Sequence, residues 1–202
     1  IMKPIINTEL EVNNKSLLEL LDNSSKSEED IIDIHLKDEI ITNLEYSKIE
    51  FKRCKFTNCR ILSSKLEGCY FSDIIFENCD LSNTSFNESN FIRVSFINCK
   101  LVGCNFIDSH LYNVYFNEDT MNYTNFSSSH LKEVEFKNVA LNSASFQGIT
   151  IKNVEFKDVE LVQAQFFVTS LKGIDFTTCN LEGLITSTKD IYGAIVTLYQ
   201  AA

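Results

Sequence analysis

From Phe51 to Leu181 a large apolar residue (Phe, Leu, Ile or Met) stands at every fifth position, with no insertion or deletion. A helix repeats near 3.6 residues and a strand near 2, so a strict period of five is neither. It predicts a coil in which each five-residue step turns a corner and sends one large side chain inward. The residue two places earlier is small or β-branched, as in Cys54, Cys59, Ser64, Cys69 and Ile74. Two positions in five therefore fill a core. The other three, such as Lys55, Thr57 and Asn58 around Phe56, are mostly polar and face water. A repeat of this kind defines a solenoid.

Set out in rows of twenty, the chain has a column Phe56, Phe76, Phe96, Phe116, Phe136, Phe156 and Phe176. Ten residues away runs Leu66, Phe86, Phe106, Phe126, Phe146 and Phe166, and the sides between are Leu-rich. Four steps per turn follow. Coils spaced like neighbouring strands, ~4.8 Å apart, make about eight coils and a rod roughly 35–40 Å long. The five-residue unit, seen in SNTSF, VGCNF, MNYTNF and TTCNLEG, resembles the pentapeptide-repeat family from about Leu36 to Leu184. The resemblance implies an all-β chain: a right-handed quadrilateral β-helix, here with a short N-terminal helical cap and an incomplete C-terminal cap. Gly (6) and Pro (1) are few for a chain that turns so often, which fits corners made by the repeat itself.

The expected organisation is a capping segment over 1–30, the β-helix over 31–186 and a C-terminal cap over 187–202. Residues 1–30 lack the five-residue period. Ser16 with Glu19 reads as a capping box opening a helix over about 17–22, followed by the polar linker NSSKSEED. Leu17, Leu18 and Leu21 are expected to cover the open end of the core, which would otherwise expose apolar surface and strand edges. Ile31, Leu36, Ile41 and Tyr46 already keep the register, and Asp38, Glu39, Glu45 and Glu50 would lie beside the basic residues 52–65. Near the other end a helical turn is expected from Ser187. GAIVTLYQAA resembles the C-terminal region of Qnr-type quinolone-resistance proteins, above all at Tyr199-Gln200-Ala201. That group continues into a dimerising helix, whereas this chain stops at Ala202. The resemblance thus implies a homodimer only if the segment is complete, with Phe167, Val168 and Tyr199 as cap or dimer contacts.

At 202 residues the chain reads as one domain. It shows no apolar run long enough for a transmembrane span and no signal peptide, and Ile1 before Met2 reads as foreign to the natural start. All seven cysteines fall on the small inward position, where free thiols act as small apolar groups. Their odd number fits a reducing bacterial cytoplasm. The net charge of −10 is uneven: residues 1–50 carry twelve acids and five bases, and residues 51–187 fifteen acids and twelve bases. With no extended basic surface, direct nucleic-acid binding is not expected.

No catalytic constellation, cofactor motif or metal set is evident. His110 and His130 should meet on adjacent coils, but surface histidines are the plainer reading. Asp119 falls on an inward small position, where a carboxylate would be desolvated and its pKa raised. The segment NEDTMNY, with Met121 as an unusual centre, predicts instead a bulge that turns Asp119 outward. Ile92, Ile97, Val102, Ile107 and Tyr112 form an outward apolar belt, and Val162, Phe167 and Val168 a second group. Lysines flank the acidic column of Glu135, Glu155 and Asp175. The side holding 64–68, 84–88 and 104–108 differs: its one base is Lys65, and it carries Glu67, Glu88 and Asp108, the last two expected to stack. The resemblance to Qnr-type proteins implies a non-catalytic DNA mimic that meets DNA gyrase or topoisomerase IV and protects it from quinolones or toxins, and on that reading the lysine-poor side with Glu67, Glu88 and Asp108 is expected to carry the contact. The alternative is a repeat scaffold for another partner.

Overall fold

In a computed structural model, which describes residues 1–6 and 10–201, the chain winds into a four-sided, right-handed parallel β-solenoid of about eight turns. Paired strands match residues twenty apart, so Phe96 meets Phe116 and Phe116 meets Phe136. Two adjoining sides carry continuous eight-residue strands: Glu50–Thr57, Tyr70–Glu77, Asn90–Ile97, His110–Asn117, His130–Lys137 and Thr150–Lys157. The other two sides are mostly hydrogen-bonded turns joined by single bridges, such as Asp80 with Lys100 and Ser85 with Asn105.

The corners explain the shortage of glycine. The residue two after each large centre is left-handed, with φ near +55°, along almost the whole solenoid. Asn and Asp fill many of these places, as at Asp73, Asn78, Asn113 and Asn138, because their short polar side chains tolerate that conformation. Val168 (φ 54°) is β-branched and exposed, an outlier among these corners.

Facing columns of phenylalanine fill the core. Phe116 is fully buried, stacks on Phe96 and Phe136 at 4.9 Å each, and meets Phe126 of the opposite column edge-on at 6.3 Å. Offset and edge contacts of this kind add ~0.5–1.5 kcal/mol per pair beyond burial. Phe51, Phe71 and Phe91 form a third stack on a side that continues as Leu111 and Leu131.

The N-terminal helix, α1, spans Leu17–Ser27 and opens with the expected capping box: Glu19 N–H donates to Ser16 Oγ, and Ser16 N–H to the Glu19 carboxylate. It runs five residues beyond the expected end. Ser24 turns inward, its hydroxyl donates to the Glu29 carbonyl, and left-handed Glu28 closes the helix onto Ser24. Leu17 and Leu21 seal the core as expected, but Leu18 faces outward, because its position lies off the stripe shared by 17, 21 and 24. In the first coil Lys65 pairs with Glu45 and Lys52 with Glu50, while Asp38 accepts from the Asn58 amide. Ahead of α1, the chain lies along an outer corner: Met2 N–H donates to Asn113 Oδ1 and Ile5 N–H to Asp73 Oδ1. The helical turn α2, Thr188–Ile191, is capped by Ser187 as expected.

Candidate partner-binding surface

Glu88 and Asp108 occupy left-handed corners of consecutive coils and are both exposed, so two carboxylates stand one coil spacing apart. The corner geometry places them there: a left-handed residue turns its side chain outward as the chain changes face. Glu67 is different. It is half-buried, and its Oε1 accepts from the Ser85 hydroxyl at 2.6 Å, so it belongs partly to the packing between coils.

Phe167 and Val168 are exposed next to the C-terminal turn, where the Val168 N–H donates to Asp190 Oδ2. Tyr199 is 93% exposed. The side chain that ties the end of the chain down is Gln200, whose Nε2 donates to the carbonyls of Phe176 and Cys179. The sequence singles out Tyr199-Gln200-Ala201 but assigns Gln200 no contact, because a single glutamine carries no periodic signal. The first apolar belt is partly covered: Ile92, Ile97, Val102 and Ile107 are half-buried, and Lys132 Nζ sits 4.5 Å from the centre of the Tyr112 ring. His110 and His130 stack at 4.7 Å, as their twenty-residue spacing requires. No three His, Cys, Asp or Glu side chains converge as metal ligands among the described residues.

Asp119 does not bulge outward. It keeps its inward place at 2% exposure, and Met121 is fully buried in register. The coil is undisturbed because the carboxylate finds donors: Oδ1 accepts from Cys99 N–H at 2.7 Å and Oδ2 from Asn117 N–H at 3.0 Å. Burial pushes its pKa up to about 8, against the opposing pull of those two N–H donors. Burial likewise raises the thiols of Cys54 and Cys69 to about 11 and of Cys104 to about 12. On the outer corner the ions are paired: Arg93 grips Asp73 with two bonds of 2.7 Å, and Arg53 grips Asp33 at 2.7 and 2.8 Å. Burial would raise the Asp73 carboxyl, yet the Arg93 guanidinium and the Ile5 N–H hold it below the usual carboxylate range.

A square rod of stacked five-residue units is the architecture of pentapeptide-repeat proteins, and the sequence agrees. The profile of the pentapeptide repeat region matches residues 69–146 and, in a second placement, 89–166. The chain belongs to the pentapeptide-repeat family. No curated protein sequence matches it. Among solved structures, it is similar to full-length QnrB1, described as a plasmid-mediated fluoroquinolone resistance protein: 15% identity, TM-score 0.50, 86% of this chain and 95% of that one. It is also similar to HetL of the cyanobacterium Nostoc sp. strain PCC 7120, a pentapeptide repeat protein involved in heterocyst differentiation regulation: 14% identity, TM-score 0.29, 92% of this chain and 95% of that one. The QnrB1 likeness shows a common fold, and the HetL likeness adds nothing further. No helix is long and apolar enough to cross a membrane among the described residues.

Proposed function

We propose that this protein is a non-catalytic binding rod that docks a protein partner on its lysine-poor side, and that the partner is a type II topoisomerase, DNA gyrase before topoisomerase IV. The observation that carries this reading is the exposed pair Glu88 and Asp108 at matching corners of consecutive coils. Carboxylates repeated at coil spacing give a basic DNA-binding saddle the charge it attracts, and such attraction also speeds encounter. The QnrB1 likeness supports the fold part of the reading. The homodimer and a bacterial cytoplasmic setting belong to the same reading, with Phe167, Val168 and Tyr199 available as apolar contacts.

A specific observation favours a second reading, a scaffold for a different partner. The solenoid body over 51–187 carries fifteen acids against twelve bases. A duplex of similar length would carry about twenty phosphates, one per ~1.7 Å. A gyrase supercoiling assay with ciprofloxacin separates the two. The mimic reading expects added protein to restore supercoiling in the presence of the drug. No effect at any ratio to gyrase, at low salt, leaves the scaffold reading in its place.

A further inference from the structure

The first residues of the chain lie against the outer corner formed by Arg53, Asp73, Arg93, Asn113, Glu133 and Asn153, one residue per coil. Asp73 and Asn113 present oxygen acceptors two coils apart there, with the cation Arg93 between them. Two coils span ~9.6 Å at strand spacing. Three residues of extended chain span ~10 Å. The two repeats match, and the chain uses the match: Met2 N–H reaches Asn113 Oδ1 and Ile5 N–H reaches Asp73 Oδ1, each at 3.0 Å. Between them Pro4 has no N–H to satisfy.

The contact is made by the main chain far more than by side chains. Met2 and Ile5 are 55% and 70% exposed, so the segment leaves its apolar groups in water while covering polar ones. Beneath it Asp73 and Asn113 are buried, whereas Arg53 and Asn153 on the same corner are exposed. Asn113 Nδ2 is buried without a hydrogen-bond partner among the described residues. Such a group costs free energy and is satisfied by any segment that brings a carbonyl there. The present occupant therefore fits the donor spacing but leaves one donor unmet.

We propose that the corner from Asp73 to Asn113 is a docking track for the extended main chain of a protein partner, and that residues 1–6 occupy it in cis. Recognition is by N–H groups three residues apart, so it tolerates varied side chains, as when an extended peptide adds to a sheet edge. The Arg93–Asp73 pair fixes one acceptor in place. This track is on a different corner from the acids of the lysine-poor side and does not depend on them.

The test uses the full chain carrying Ile5→Pro, which deletes the donor to Asp73 and changes nothing in the solenoid. The probe is the synthetic peptide acetyl-Met-Lys-Pro-Ile-Ile-amide, followed by the backbone amide resonances of Asp73, Arg93 and Asn113. The expected result is shifts at these three residues, with an apparent Kd at least tenfold lower in Ile5→Pro than in wild type, where the cis segment competes. A peptide with proline in its fourth place should not bind. In the Ile5→Pro background Asn113→Leu should abolish binding, while Asp73→Asn, which keeps an oxygen acceptor, should retain it. Equal Kd in wild type and Ile5→Pro, no shifts at millimolar peptide, undiminished binding by the Asn113→Leu protein, or loss of binding in Asp73→Asn would each overturn the proposal.

Discussion

The backbone N–H of Cys99 donates to Oδ1 of Asp119 across one coil, at 2.7 Å. The same bond recurs at other small inward positions: Ser89 N–H donates to Ser109 Oγ, Ser109 N–H to Ser129 Oγ, and Ile149 N–H to Thr169 Oγ1. A polar small residue in one coil thus satisfies a buried amide of the coil before it. Serine and cysteine also return a donor, as Ser109 Oγ does to the Phe86 carbonyl and Cys99 Sγ to that of Phe76. An ionised aspartate has no donor to return, and its charge is buried.

Stability should therefore fall as pH rises. Asp119 keeps its proton to about pH 8 in the folded chain, whereas an unfolded aspartate loses it near ~3.9. Between those values the native state binds more protons than the unfolded one, so the stabilisation from this group is complete below about pH 4 and is lost as pH climbs through 8. Asp119→Ser removes the effect and keeps the cap on Cys99. Denaturant titrations from pH 5 to 9 should show the variant gaining on wild type, by at most about 1.4 kcal/mol per pH unit. A difference independent of pH would count against a buried, proton-holding Asp119.

Phe116→Ala should cost about 3–5 kcal/mol, the range for a core phenylalanine. The ring is fully buried between Phe96 and Phe136, and neighbouring coils pinned by the strand ladder have little room to close the gap. A urea midpoint shift worth under 1 kcal/mol would contradict the packing.

The seven cysteines should be inert thiols in the native protein. All are buried and free, and burial raises several of their pKa values well above the ordinary one, so little thiolate forms at neutral pH. Thiol titration should find at most two groups reacting quickly before denaturation and seven after. A disulfide detected by mass would refute this.

The solenoid was legible because its register is redundant. Phe56 through Phe176 repeat one choice seven times, so no single substitution hides the period. Single residues were harder. Asp119 read as a bulge because carboxylates avoid cores, and the two N–H groups that receive it belong to the backbone of Asn117 and of the neighbouring coil at Cys99. Leu18 carries the same side chain as Leu17, and only the orientation of the helix on the core separates the exposed one from the buried one. The corner under residues 1–6 gave no local signal at all, since Asp73 and Asn113 lie forty residues apart and their common partner precedes both. Of the lysine-poor side, the exposure of Glu88 and Asp108 was legible from the five-residue unit. The hydroxyl bond that draws Glu67 inward was not, because it depends on the Ser85 rotamer.

The central claim is that exposed acids on the lysine-poor side meet gyrase, and direct binding with Glu88→Lys/Asp108→Lys tests it most closely. Both positions are exposed, so the melt should stay within about 0.5 kcal/mol of wild type. Exposed charges are screened beyond roughly 8–10 Å at physiological salt, so wild-type binding should weaken as salt is added. The account predicts wild-type binding at low salt and none by the double variant. Equal binding by both proteins would reject this surface, and absence of wild-type binding at low salt would reject the topoisomerase reading itself.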